Sequence, residues 1–213
     1  MALIFISSAC SLDEVDPEDV NTGYQYFPLE HGATWIYDVY EIKYRLTEND
    51  TLDYFLKVEI VDTFHIGKEK TYVIERMKSS TVDGPWKMDS VWSFKRNPTQ
   101  AVVTENSVRY IHLVFPFEEG VSFDRNALNN KSKATYRISD VRRAYEVPDY
   151  ERFTETVKAT LEFQGNIITT KDKFVVYARN TGLVHRYELS TEQQPGQPPY
   201  GYLLDQKLVH YAP

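Results

Sequence analysis

Apolar residues recur at every second position through most of this chain, and that period belongs to half-buried β-strands, not to helices. Trp35, Tyr37 and Val39 fall on one face of an extended segment, with Ile36, Tyr40, Ile42 and Tyr44 on the other. Tyr54, Leu56, Val58 and Ile60 mark a second strand, and Thr71–Met77 and Ser90–Phe94 give two more across the breakers Asp83-Gly84-Pro85. Ala101–Thr104 and Val108–Phe115 read as a hairpin closed by Glu105-Asn106-Ser107. Phe153, Val157, Ala159, Leu161 and Phe163 all sit at odd positions. Gln164-Gly165-Asn166 then turns the chain into Ile168, Phe174, Val176 and Ala178, the clearest hairpin of all. Leu183–Leu189 and Tyr202–His210 follow, separated by the Pro- and Gly-rich loop Gln193–Pro199.

About ten strands with short connections predict an all-β, mainly antiparallel fold. The intervals are too short for βαβ crossovers. Curved sheet, sandwich and partial barrel all remain open, and the best helical stretch is short, near Val141–Glu146. The core must be largely aromatic, because Tyr (16) and Phe (11) dominate the apolar supply and large rings pack well on pleated surfaces. Trp35 and Trp92 are expected to be buried. A single cysteine, Cys10, rules out an intramolecular disulfide.

The pattern Phe-Pro-[Leu/Phe]-Glu-x-Gly-x-x-[Trp/Phe] occurs twice, at Phe27–Trp35 and Phe115–Phe123. Proline fixes φ, glycine permits a tight turn and the final aromatic enters the core, which suits a strand entry. The echo divides residues 24–213 into two candidate related lobes, 24–111 and 112–213; a turn motif arising twice independently is the alternative.

The first twenty residues supply an address. Ala2–Ile6 is apolar, Ser7-Ser8-Ala9 is small, and Cys10 stands where a bacterial lipoprotein carries its lipid. Ser7 occupies a position usually aliphatic, and no Lys or Arg precedes the apolar run. Residues 1–10 are read as a truncated signal peptide with its lipobox, against a terminal segment with an incidental cysteine. Residues 11–23 hold a run of carboxylates around Pro17, too polar to bury surface enough to offset ordering, and are expected to form a flexible tether.

The Tyr26-Phe-Pro-Leu-x-x-Gly-x-x-Trp35-x-Tyr37 entry, placed just after an acidic tether, resembles the start of a family of Bacteroidota cell-envelope lipoproteins. Phe115-Pro-Phe-x-x-Gly120 resembles that group's second landmark, with Phe123 where Trp is usual. Tyr177-Ala-Arg-Asn-Thr-Gly-Leu-Val184 resembles its late strand turn, and Gly201-Tyr202 through Leu208 its final strand. The resemblance spans nearly the whole chain and implies a β-rich fold and a cell-envelope, outer-membrane location. It implies no reaction, because the family has no established biochemical activity.

Catalytic signatures do not emerge. The histidines 31, 65, 112, 185 and 210 lie in no HxH or HExxH spacing, so no metal or cofactor is expected, and there is no Gly-x-Ser-x-Gly elbow. Asp124-Arg-Asn-Ala-Leu-Asn-Asn130 offers calcium-like oxygens at its first and third positions, but Leu128 and Asn129 break the EF-hand pattern. A net charge of −7, with a densest basic cluster of Arg142-Arg143, argues against nucleic acid. No apolar run approaches the ~18–20 residues of a membrane-spanning helix, so the expected membrane contact is a lipid on Cys10. Asp50-Thr51-Leu52 and Asp89-Ser90-Val91 match a short O-glycosylation pattern of that phylum.

Aromatic side chains near loops give the best binding candidates: Trp86, Tyr150, Tyr200 and Tyr202 could stack on sugar rings or peptide side chains. The expected role is therefore a lipid-anchored, non-catalytic binding or assembly module for a glycan, peptide or protein partner. A carrier of an apolar ligand in a curved-sheet cavity is one alternative, and a hydrolase with dispersed catalytic residues another.

Overall fold

The computed structural model describes residues 23–213 apart from 68 and 164. Cys10 and most of the acidic tract lie outside the described residues. After a single 3-10 turn at Tyr24–Tyr26 come twelve strands: β1 (Thr34–Tyr44), β2 (Asp50–Ile66), β3 (Glu69–Ser79), β4 (Lys87–Arg96), β5 (Gln100–Glu105), β6 (Val108–Val114), β7 (Ser122–Asp124), β8 (Thr135–Glu146), β9 (Arg152–Leu161), β10 (Thr169–Ala178), β11 (Gly182–Glu192) and β12 (Tyr200–Ala212).

All twelve form one antiparallel sheet in the order β6-β5-β4-β3-β2-β1-β12-β11-β10-β9-β8-β7. Each strand therefore pairs with its sequence neighbour, and β1 pairs with β12, except at a seam between β6 and β7. The Ile111 N–H donates to the Arg125 carbonyl across that seam at 3.0 Å, and the Asn129 side-chain amide donates to the Arg109 carbonyl at 2.7 Å. The result is a nearly closed up-and-down barrel, which removes most of the exposed edge that an open sheet would present.

The predicted alternation sets the inner face. Trp35, Tyr37 and Val39 are buried along β1, as are Leu56, Val58 and Ile60 along β2 and Val157 and Ala159 along β9. Trp35 donates its indole N–H to the Thr181 carbonyl at 2.6 Å and Tyr37 its hydroxyl to the Leu183 carbonyl at 3.1 Å, so β1 is tied across the interior to the β10–β11 turn and β11. Trp92 is half-buried: Arg76 lies over its ring at 3.7 Å and shares its site.

Strict up-and-down connectivity gives the barrel two distinct ends. At one lie the start of β1, the end of β12 and the β10–β11 turn; at the other lie the β1–β2, β3–β4, β5–β6, β9–β10 and β11–β12 connections and the 125–134 loop. The first end is plugged. Both Phe-Pro segments meet there, with Tyr24 edge-on to Phe115 at 5.2 Å and Tyr26 edge-on to Phe117 at 5.0 Å. Arg96 fastens the plug by donating to the Tyr24 and Phe27 carbonyls at 3.0 and 2.9 Å. Strands β1–β6 follow the first of these segments and β7–β12 the second, within one continuous sheet.

The expected helix at Val141–Glu146 is instead the distal part of β8. Asp140 and Arg142 have φ of 54° and 57°, which no right-handed helix accommodates, and the register slips between Ser139 and Arg143. That bulge breaks the period of two and imitates a helical pattern. It sends the end of β8 and its loop over the outer face, where Tyr150 donates to Asp38 at 2.7 Å and Lys207 to Asp149 at 3.2 Å.

Gly201 marks a close approach of β11 and β12. A Cβ there would lie 2.0 Å from the Ser190 carbonyl oxygen, and φ is +146°. Gly201→Ala should therefore destabilise the protein by about 2–4 kcal/mol, from backbone strain plus forced separation of the strands. Urea unfolding checks this; a change within about 0.5 kcal/mol, ordinary for a surface site, would mean the strands do not approach so closely.

Candidate functional site

Opposite the plug, the barrel opens into a cleft of about 560 Å³ between the 125–134 loop and strands β8 to β12. Its volume falls within the range of about 300–1,000 Å³ common to small-molecule sites, and barrel mouths are a usual place for them. Strand β11 builds the floor through its alternation: Arg186 and Glu188 share one face and both line the cleft, so two charged groups enter the interior. Glu105 ends β5, Arg125 follows β7, and Lys173 lies on β10.

These groups interlock. Glu105 Oε1 contacts Arg125 Nη2 at 3.2 Å and Arg186 Nη1 at 3.7 Å. Glu188 contacts Arg186 at 2.6 Å, Lys173 at 3.3 Å and Arg125 at 3.6 Å. Burial alone would raise both carboxyls, yet Arg186, Arg125 and the groups beside them hold each well below the usual carboxylate range. Tyr202 donates its hydroxyl to Glu188 at 3.0 Å and accepts a hydrogen bond from Lys173.

His112 extends the network inward. A carboxylate can only accept, so Nε2–H donates to Glu105 at 3.0 Å and Nδ1 accepts from the Tyr177 hydroxyl at 2.8 Å. Both ring nitrogens are satisfied in the neutral form. Burial, aided by Arg125 and Arg186, pushes the imidazole down to about 4 against the pull of Glu105. The unfolded chain would bind a proton on this residue below pH 6.5 that the folded one refuses. Stability is therefore complete above that value and falls by about 3 kcal/mol as the pH drops from 6.5 to 4. His112→Gln should flatten the slope of stability against pH in this window. An unchanged slope would place the titrating group elsewhere.

A second histidine cluster sits outside the barrel. Tyr145 donates to His185 Nδ1 at 2.6 Å, and His185 Nε2–H donates to Asp205 at 2.7 Å. Burial pushes the Tyr145 phenol up to about 12, so it donates to the imidazole across the neutral range. Together with the Tyr150–Asp38 and Lys207–Asp149 contacts, it latches the β8–β9 arm to β1, β11 and β12.

Of the four aromatics chosen from sequence, Tyr202 lines the cleft. Tyr200 is 61% exposed on the same rim, and Trp86, half-buried with Lys57 5.9 Å from its ring, lies in the β3–β4 connection at that end. Tyr150 is at the opposite end, committed to Asp38. His31 lies in the entry turn, with Nε2 3.0 Å from the Val61 carbonyl. Sequence reasoning missed Glu105, Arg125, Arg186 and Glu188; the opposite charges two apart at positions 186 and 188, on one face of a strand, were the available signal.

Asp124 is committed to its own loop. Its Oδ1 accepts the backbone N–H groups of Asn126 and Ala134, each at 2.9 Å, and so closes the base of the 125–134 loop. Among the described residues no group of His, Cys, Asp and Glu is arranged to hold a metal, and no helix is long and apolar enough to cross a membrane. The interior beside Trp35, Tyr37 and Trp92 contains an apolar cavity of about 60 Å³, space for water-sized guests and far below what an acyl chain needs.

No family model and no curated protein matches the sequence. Two solved structures are similar: a candidate exported protein with a YmcC-like fold from Bacteroides fragilis and a candidate lipoprotein from Parabacteroides distasonis. Each is 11% identical, with a TM-score of 0.45, covering 88% of this chain and 98% of the other.

Proposed function

We propose that the protein is a cell-envelope lipoprotein, held at the outer membrane by a lipid on Cys10, that binds a ligand in the open end of its barrel without catalysing a reaction. The supporting observation is the opposition of the two ends. The chain enters at Gly23 beside Phe117, in the plug, while the cleft opens at the other end. An anchor preceding Gly23 would join the barrel at its plugged end, the end away from the cleft. Tyr202, with the exposed Tyr200 near it at the start of β12, supplies ring faces for a sugar or peptide. The apolar-carrier alternative draws no support from an interior cavity of about 60 Å³.

Two paired substitutions test this reading. Cys10→Ala should abolish metabolic fatty-acid labelling, and a label that persists would sink the anchor. On glycan and peptide arrays, Tyr202→Ala should weaken capture at least about tenfold, the scale of one well-placed contact, while Tyr150→Ala leaves it intact. Equal loss in both variants, or none in Tyr202→Ala, would remove the cleft as the site.

A further inference from the structure

We propose that the ligand of this cleft is a small organic anion, bearing a carboxylate or phosphate that seats against Arg125, Arg186 and Lys173. This rests on the cleft being the binding site and goes beyond it by assigning the ligand's chemistry.

The floor is unbalanced. Among the described residues Arg125, Arg186 and Lys173 face only Glu105 and Glu188, and His112 is neutral in the tautomer its partners impose. Side-chain exposures here run from 9% at Glu188 to 17% at Lys173, so one positive charge is held largely out of water without a counter-charge. Unpaired buried charge is costly, and a protein retains it where a partner of opposite sign completes the set. The rings of Tyr110 and Tyr136 flank the Arg125 guanidinium at 5.1 and 5.7 Å; they soften the cost but bring no formal charge.

A donor is also left over. Arg125 Nε–H is buried and has no hydrogen-bond partner, although the residue is 9% exposed and lines the cleft. Buried guanidinium donors are normally satisfied, and carboxylates and phosphates, each with paired oxygens, are the acceptors that match their fork geometry.

The walls repeat the sign of the floor. Lys131, Lys133 and Lys171 also line the cleft, while its third carboxylate, Glu162, is engaged by Arg137. This local excess of cations stands in a chain of net charge −7. At the opening this reversal would raise the local concentration of small anions and steer them inward. The lysines come from the 125–134 loop and β10, and the arginines from the 125–134 loop and β11, so folding alone assembles the site.

The test is calorimetric titration of the full-length chain at fixed ionic strength with four anions and one neutral sugar: citrate and digalacturonate as carboxylates, pyrophosphate and glucose 6-phosphate as phosphates, and lactose. At least one anion should bind, with affinity falling as salt is raised. The Lys133→Gln/Lys171→Gln variant should bind it about tenfold or more weakly, the scale of a charge-assisted contact, with its own melting temperature unchanged. Whether carboxylates or phosphates bind identifies the group. No response to any anion beyond that to chloride would overturn the proposal. Lactose binding equal to the anions, and weakened by Tyr202→Ala, would leave the cleft as the site and overturn its anionic specificity. Anion binding that the lysine variant does not weaken would place the anion elsewhere and overturn it as well.

Discussion

Trp35→Ala should destabilise the protein by about 3–5 kcal/mol, the range for truncating a large aromatic in a packed core. Trp35 is 4% exposed, stacks on Tyr211 at 5.3 Å and donates its N–H to the Thr181 carbonyl. It thus joins three parts of the barrel: β1, the end of β12 and the β10–β11 turn. Truncation would leave a hole beside an existing apolar cavity, and the Thr181 carbonyl would lose its donor. Trp35→Phe separates the two effects, since it keeps most of the packing and loses the hydrogen bond, at a cost of about 1–2 kcal/mol. Chemical unfolding monitored by far-UV circular dichroism measures both. Similar small losses in the two variants would mean that β1 is not pinned across the interior.

The second large effect belongs to the cleft. Glu188→Gln preserves shape but removes one of two carboxylates that hold three cations together. Breaking a buried ion pair by removing one partner costs about 3–5 kcal/mol, because the remaining charges are left uncompensated. The loss should be largest at neutral pH and should shrink in acid, where Glu188 itself would be forced to protonate. Its depressed carboxyl contributes stability above the ordinary carboxylate range and surrenders it as the pH falls toward its folded value. An anion seated in the cleft should restore part of the loss. A neutral outcome for Glu188→Gln at pH 7 would show that the cluster is solvated and not a buried network.

The sequence announces most of this architecture and little of its site. Trp35-x-Tyr37-x-Val39 and the odd positions from Phe153 to Leu161 are legible because a strand buried on one face must alternate. Strand β7 escapes notice because it has three residues, too few for a period to show. Strand β8 escapes as well, because its alternation at Tyr136-x-Ile138 stops where the register slips between Ser139 and Arg143. The paired Phe-Pro segments were visible as strand entries, whereas their contact with each other in the plug depends on the ring of strands bringing residues 24–26 and 115–117 together.

The cleft was hidden for a different reason. Its cations are scattered from Arg125 to Arg186, and none belongs to a basic run. Arg142-Arg143, the densest basic pair, contributes nothing to the cleft lining. Tyr202 was visible because aromatics beside loops are worth noting. Tyr150 shared that property, yet the β8 bulge carries it to the outer face at the other end. The net charge of −7, which argues against nucleic acid, says nothing about where the charges gather.

The central claim is that the open end of the barrel is the ligand site. Amide chemical shifts of the isotope-labelled protein, followed while the anion that binds in calorimetry is added, test it most directly. The account predicts perturbations at residues 125–135, Lys173 and Ser190, at the mouth, with Gly23–Phe27, Phe117 and Tyr150 at the plugged end unmoved. Shifts centred on the plug or on the outer face around His185 would contradict it.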